Sequence, residues 1–502
     1  MRAAGRLTAV PAFGDDGRLM IARQVLGVVA FVTLIRAVLS LQLELVSVES
    51  YLWVCSQRPS MGYYDYPGMI AWMGWLSTAL FGHSTLGVRA LMLLSAGGTV
   101  WFVFLATRRL YDERTGRLAA FLAALVPMVF VFSAEATPDA PCLFFWSATL
   151  WALAHALSGD APRWWLAAGL FLGLAMDSKY HAVFLGFGIF GFLLFSADQR
   201  SWLKRKEPWL GVVVALLAFS PTVIWNALNG WQSFAYQGVS RFKESGFQPA
   251  QLVRFPTSQL LLLTPVVGVW AWGAGLGALF RWRTTDWRER FLAALGTPLL
   301  LFFFLVIFSR PVRGHWPAPG YLAALMLSAV VVQRGAPWVR RVHWGTLGAL
   351  AAAYLVFPVA LLAIPLEQRR GWSILGSRVA ERKADFIVCN EYHLASQMGF
   401  VLKTREAWDL TPAGKPSKNF PNWWVEREHL GKNAVVVYDG KHYPREMDRI
   451  RACFERIDAP EEIVVPRVRK FGWGDDERYV LLNAWNYRGA AKVDPRAPGS
   501  DD

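Results

Sequence analysis

The sequence predicts a mainly α, polytopic membrane fold of about 11 transmembrane helices followed by a small α/β domain, and three observations carry that expectation. Of 502 residues, 54% are hydrophobic and 14% aromatic, including 33 Phe and 25 Trp, more apolar material than a soluble core of this length needs. Apolar runs of about 20 residues, the length of a membrane-spanning helix, recur as far as residue 364. Beyond that point the chain becomes charged and mixed, with short β-branched runs.

Residues 1–20 are polar, of mixed charge and without a small-residue cleavage site, and read as a cytoplasmic segment leading into a retained signal anchor. Spans are expected near 21–41, 85–107, 117–134, 139–157, 163–177, 180–196, 209–228, 256–280, 291–309, 317–333 and 344–364, together forming a membrane domain over 21–364. Arginine-rich connections follow every second span: Arg108, Arg109, Arg114 and Arg117, then Arg200, Lys204, Arg205 and Lys206, then Arg281, Arg283, Arg288 and Arg290, then Arg334, Arg340 and Arg341. The positive-inside rule puts all of them, and the N-terminus, on the cytoplasmic side of a cytoplasmic (inner) membrane. A first external loop at 42–84 and a soluble periplasmic α/β domain at 365–490 follow, with 491–502 as a flexible tail. In that domain 385–390, 433–439, 461–468 and 477–487 read as strands, and 391–402 and 444–457 as helices.

Net charge is +15, but the basic residues lie in clusters between apolar runs rather than along one face of a domain, so nucleic acid is not an expected partner and membrane lipid is. The four cysteines have no metal-ligand spacing; Cys389 and Cys453 could pair if exported. No P-loop, dinucleotide fingerprint, nucleophile elbow or HExxH occurs. A transporter is not supported either, because no internal repeat is visible.

Most unusual polar residues fall on the expected external side, where an ionisable group at membrane depth is costly unless it is paired or lines a wet cavity. Glu49 and Asp65 lie in an aromatic-rich loop whose segments "YLWVCSQ" and "MIAWMGWLSTALF" read as interfacial helices. Both acids are candidate catalytic groups, as general base on an acceptor or, for Asp65, as ligand of a divalent cation; both could equally be solvated interface residues. Asp139 is a third catalytic candidate, although helix capping alone could account for it. Lys179 is either a phosphate ligand or a snorkelling lysine. Arg241, Lys243, Arg254, Arg310 and Arg313 add cations suited to a lipid phosphate. His315 is a further candidate contact, with a structural role as its plain alternative. Tyr51, Tyr64, Tyr66 and Asn226 complete the candidate substrate-binding set.

The segments "GYYDYPGMIAW", "LGVR", "ATPDAPCLFFW", "LGLAMDSKY", "PTVIWNALNGWQSF", "HWPAPGYLA" and "YHLASQMGF" occur in order. In this the chain resembles bacterial members of the dolichyl-phosphate-mannose protein mannosyltransferase-like group of GT-C glycosyltransferases, including the aminoarabinose transferase that modifies lipid A. The resemblance runs from about residue 42 to 438. It implies transfer of a sugar, with inversion, from a polyprenyl-phosphate donor, usually undecaprenyl phosphate, to a lipid, glycan or protein acceptor outside the cytoplasmic membrane. It also implies that Asp65 lies near a metal or the carrier phosphate, and that Asp139 and Lys179 line the cavity. The match departs from the group's pattern at two places: the usual Asp-Glu reads Val48-Glu49, and the Asp-His-Pro-Pro segment reads Asp65-Tyr66-Pro67-Gly68. The alternative that follows from Val48 is a catalytically degenerate relative that binds a polyprenyl lipid or a partner transferase.

Overall fold

A computed structural model describes residues 15–159, 161–238, 246–364, 369–414, 417–465, 468–469, 472–473 and 477–490; Arg241, Lys243 and the tail 491–502 lie outside the described residues. The helical part comprises α1 (Asp15–Gln42), α2 (Ser47–Ser56), α3 (Met69–Phe81), α4 (Thr85–Leu110), α5 (Glu113–Leu125), α6 (Pro127–Phe132), α7 (Asp139–Leu157) and α8 (Trp164–Ser178). It continues through α9 (Val183–Phe195), α10 (Lys206–Leu228), α11 (Gln232–Gly238), α12 (Gln251–Leu263), α13 (Pro265–Phe280), α14 (Trp287–Val306), α15 (Ala318–Arg334) and α16 (Pro337–Leu362). Among the described residues six helices, α1, α4, α7, α10, α14 and α16, are long and apolar enough to cross a membrane.

Two expected spans are broken, each at a proline. The run 256–280 is not one helix: α12 and α13 meet at 104°. Thr264 between them has φ 67 and is followed by Pro265, which brings no N–H to continue a helical ladder. The run 117–134 divides at Val126, where extended backbone precedes Pro127 in the first turn of α6. Elsewhere small residues let helices approach closely, as membrane helices do. A Cβ on Gly169 of α8 would lie 2.0 Å from the Gly211 carbonyl oxygen of α10, and one on Gly296 of α14 would lie 2.6 Å from the Gly320 carbonyl oxygen of α15.

The C-terminal part is α/β: α17 (Gly371–Ala380), β1 (Phe386–Cys389), α18 (Tyr392–Leu402), β2 (Ala407–Trp408), β3 (Ala434–Asp439), α19 (Met447–Cys453), β4 (Phe454–Ile457), β5 (Glu461–Val465), β6 (Val468–Arg469), β7 (Gly472–Trp473) and β8 (Glu477–Tyr487). The main sheet runs β2-β1-β3-β8-β4, with β5 also on β8. β1 is parallel to both β2 and β3, and β8 is antiparallel to β3. The expected helix 444–457 is shorter, because its last four residues pair with β8 as β4. Cys389 and Cys453 are buried free thiols and do not pair.

Residues 43–49 join the two parts. The Glu44 carboxylate accepts the Trp372 and Ser373 amides, each at 3.0 Å, at the N-terminus of α17. Gln397 of α18 donates to the Leu45 carbonyl at 2.9 Å. Glu49, fully buried, receives Arg89 of α4 in a two-point pair, Nε to Oε1 at 2.7 Å and Nη2 to Oε2 at 2.5 Å. The same carboxylate accepts the amides of Val46 and Ala136, each at 2.9 Å, while Arg89 donates to the carbonyls of Leu43 and Glu44. The expected interfacial position of Glu49 is thereby corrected. Helix α2 is buried almost throughout, in an apolar cluster shared with the sheet of the α/β part, whereas α3 keeps an exposed apolar face of Trp75, Leu76, Leu80 and Phe81.

Removing one member of a buried pair leaves an uncompensated charge, so Arg89→Ala should cost about 3–5 kcal/mol; an unfolding midpoint in detergent equal to that of the wild type would show the pair to be idle. Burial would raise the Glu49 carboxyl, but Arg89 and the backbone amides hold it below its ordinary 4.5. Its contribution is therefore complete above pH 4.5 and is lost as pH falls through the folded value, and Glu49→Gln should flatten that acid limb. Glu44→Ala removes a helix N-terminal cap worth about 1 kcal/mol, which should speed hydrogen exchange at the Trp372 and Ser373 amides about five-fold while leaving β3 unchanged.

Candidate functional site

Asp65 sits in a tight loop between α2 and α3. The loop closes on itself through the Tyr63 amide, which donates to the Tyr66 carbonyl at 2.9 Å, and through a bridge between Gly62 and Pro67. The Tyr63 hydroxyl anchors it to the end of α2, donating to the carbonyls of Cys55 and Arg58. Gly68 follows because there is no room for more: a Cβ there would lie 2.8 Å from both the Met61 carbonyl oxygen and the Trp72 ring. The departure from proline at this position thus has a steric cause. Val48, where the related pattern has an acid, is half-buried against the apolar cluster beneath the α/β part.

The loop presents Asp65 at only 4% exposure. Its Oδ1 accepts the Tyr51 hydroxyl at 2.8 Å, its Oδ2 lies 3.5 Å from the Lys418 Nζ, and its carbonyl accepts Gln237 Nε2 at 2.5 Å. The second partner comes from the α/β part. Lys418 donates to the Tyr236 hydroxyl at 2.7 Å and lies over the rings of Tyr236 and Tyr392. Next to it, Asn419 donates to the Tyr51 hydroxyl at 2.7 Å and accepts the Tyr64 amide at 2.8 Å. Lys418 has φ 55, a left-handed conformation costing a non-glycine residue of order 1 kcal/mol. Asp409 holds the preceding turn, accepting the Thr411 and Ser417 amides at 2.9 and 2.8 Å. Burial pushes the Asp65 carboxyl above the ordinary range, and Lys418 and the Tyr51 hydroxyl pull it back only in part. His393, beside Tyr392, is held neutral, lowered to about 4 by burial and by the charges of Lys418 and Arg313.

A second buried cluster lies at the mouth of α7. The Asp139 Oδ1 takes the Lys179 Nζ at 2.7 Å and its Oδ2 lies 3.9 Å from His315 Nε2. His315 stacks on Phe132 with ring centres 4.5 Å apart. The clusters are neighbours: Arg313, two residues before His315, acts on Tyr392 and His393, and Tyr180, next to Lys179, lies within the field of Asp65.

The structure therefore brings Asp65, Asp139, Lys179, Tyr51, Tyr64, Tyr66, Arg313 and His315 to one region, with the Tyr66 ring 6.5 Å from that of Tyr51. It separates others. Both Glu49 oxygens are taken up by Arg89 and two backbone amides, which leaves the carboxylate no lone pair turned to a substrate and corrects its expected role as base. Asn226 braces the turn between α10 and α11, donating to the Thr222 carbonyl and accepting the Phe234 amide, and reaches the site only through the Tyr180 hydroxyl beside it. Arg254 is exposed on α12. Among the described residues no trio of His, Cys, Asp or Glu ligand atoms includes Asp65, and the cation facing it is the Lys418 ammonium. Lys418, Asn419, Tyr236, Tyr392 and Arg89 were not legible as site or support residues; nothing in "PSKNF" distinguishes its lysine from a surface lysine.

Residues 65–225 match the model of the dolichyl-phosphate-mannose-protein mannosyltransferase family. A lipid A galacturonosyltransferase of Rhizobium johnstonii is 25% identical over 56% of this chain and 59% of its own length. The undecaprenyl phosphate-alpha-4-amino-4-deoxy-L-arabinose arabinosyl transferase of Pseudomonas aeruginosa is 30% identical over 34% of this chain and 32% of its own. The chain thus spans less than two thirds of the length of these relatives. The crystal structure of ArnT from Cupriavidus metallidurans bound to undecaprenyl phosphate superposes with a TM-score of 0.67 at 16% identity, covering 94% of this chain and 98% of that one. The chain is a multi-pass membrane protein with the GT-C fold, similar over residues 65–225 to the dolichyl-phosphate-mannose-protein mannosyltransferases and, over part of its length, to a lipid A galacturonosyltransferase and to the arabinosyl transferase of Pseudomonas aeruginosa.

Proposed function

We propose that this protein transfers a sugar from a polyprenyl-phosphate donor, undecaprenyl phosphate in this reading, to a lipid, glycan or protein acceptor. The reaction would occur on the face of the membrane that carries the α/β part, which the positive-inside rule puts outside the cytoplasm. The observation that carries the reading is the buried Asp65 between Tyr51 and Lys418, with the neighbouring cluster of Asp139, Lys179 and His315. The likeness to a fold that holds undecaprenyl phosphate supports the choice of carrier.

In this reading Asp65 is the general base. It takes the proton of the acceptor hydroxyl or amine as that oxygen or nitrogen bonds to the sugar's anomeric carbon. The bond from that carbon to the carrier phosphate oxygen breaks, and its electron pair leaves with the phosphate. Lys179 and Arg313 stabilise the negative charge gathering on that phosphate, and fixed cations aimed at developing charge in a water-poor site lower the barrier strongly. Lys418 favours the ionised form of Asp65 against the burial that opposes it. A second reading, a degenerate relative that binds lipid without turnover, is favoured by one observation: the acid nearest the expected base position, Glu49, is locked to Arg89.

Transfer from a purified polyprenyl-phosphate sugar in proteoliposomes separates the two readings. Asp65→Asn should lower kcat at least about 100-fold with donor binding retained; unchanged kcat would remove Asp65 from the chemistry, and no transfer by the wild type would favour the degenerate relative. Lys418→Met removes a charge that lowers the Asp65 carboxyl, so the rising limb of kcat/KM should move to higher pH. A limb that stays in place or moves to lower pH would show that Lys418 does not act on the base.

A further inference from the structure

The α/β part has a crevice that the transfer reaction does not use. β1 and β3 are adjacent and parallel, yet the chain leaves them in opposite directions: from β1 through α18 to β2 on one side, and from β3 through α19 to β4 on the other. In open α/β sheets such a divergence at the carboxyl ends of neighbouring strands opens a crevice where ligands bind. Glu391 follows β1, and Asp439 and His442 end and follow β3, so all three stand at this point. Their ligand atoms lie within 4.8 Å of one another, with His442 Nδ1 2.6 Å from Asp439 Oδ2 and 4.0 Å from Glu391 Oε1.

We propose that Glu391, Asp439 and His442 form a binding site for a divalent cation of the zinc and manganese class at this switch point. One imidazole and two carboxylates are the mixed nitrogen and oxygen donors such ions take, with metal–ligand distances of about 2.0–2.2 Å that put donor atoms roughly 3–4 Å apart. The observed separations bracket that range, so a small opening of the His442–Asp439 contact completes the site.

A second observation points the same way. Two of the three, Glu391 and His442, border a cavity of about 240 Å³, and its wall includes Tyr438, which is 0% exposed and whose hydroxyl has no hydrogen-bond partner among the described residues. A buried orphan hydroxyl is costly, and water held by a cation in this cavity would satisfy it. The other wall holds Asp409 and Ser417, the residues that shape the turn before Lys418. None of Glu391, Asp439 and His442 is itself a partner of Asp65.

The test is titration of metal-free, tag-free full-length protein in detergent with zinc chloride and with manganese chloride, followed calorimetrically. The wild type and Asp65→Asn should each bind one equivalent, and His442→Ala should bind at least about ten-fold more weakly. The double variant Glu391→Gln, His442→Ala should lose the saturable phase. The wild type and Asp65→Asn, but not the double variant, should also gain thermal stability with zinc. Each of these side chains is partly exposed, so the variants keep the fold. Absence of saturable binding by the wild type, or one equivalent held at unchanged affinity by the double variant, would overturn the assignment, as would loss of the equivalent in Asp65→Asn.

Discussion

The bidentate pair between Glu49 and Arg89 is the constraint around which the junction of this protein is organised. Two charges removed from water are unfavourable unless every remaining donor and acceptor is met. Here the requirement is met by groups from four places: the start of α2, the linker 43–46, the loop before α7 and the body of α4. Satisfying one buried carboxylate thus fixes the relative position of a spanning helix, the helix bearing Tyr51 and the loop leading to Asp139. The role expected of Glu49 was chemical, and the one it has is architectural. A carboxylate cannot at once close four hydrogen bonds and remain open to a substrate.

Asp65 stands in the opposite condition. Its partners are one hydroxyl and one ammonium at 3.5 Å, and burial leaves it above the ordinary carboxylate range. The contrast between these acids, sixteen positions apart in the chain, is one of saturation rather than depth, since both are buried. Lys418 reaches Asp65 in a left-handed conformation fixed by Asp409, so local strain is held where the two parts of the molecule meet.

Six of the eleven expected spans, the sheet strands and the gathering of Asp65, Asp139, Lys179 and His315 were legible because each leaves a local trace: an apolar run, a β-branched run, or a polar residue in apolar surroundings. The bend at Thr264 was less so, although Pro265 marks it, because hydropathy averages over a break that changes direction but not composition. The fate of Glu49 was hidden because its partner Arg89 lies inside a span and reads as an isolated charge. Lys418, Asn419 and Tyr392 were hidden for a more general reason. Their role arises from contacts between distant segments, and no local pattern records which residue of a polar domain will meet a loop of the helical one. The place of Gly68 became intelligible only when Met61 and Trp72 were seen to fill the space a side chain would need.

The contact between Asn419 and Tyr51 spans 368 residues of chain. Tyr51 and the loop holding Asp65 precede by far in the chain the residues that complete their surroundings. A nascent or truncated chain therefore contains the acid without its ammonium partner and without the amide that orients Tyr51. The site is assembled only where the α/β part has docked on the helical one, so the docking of the two parts and the poising of the acid are one event.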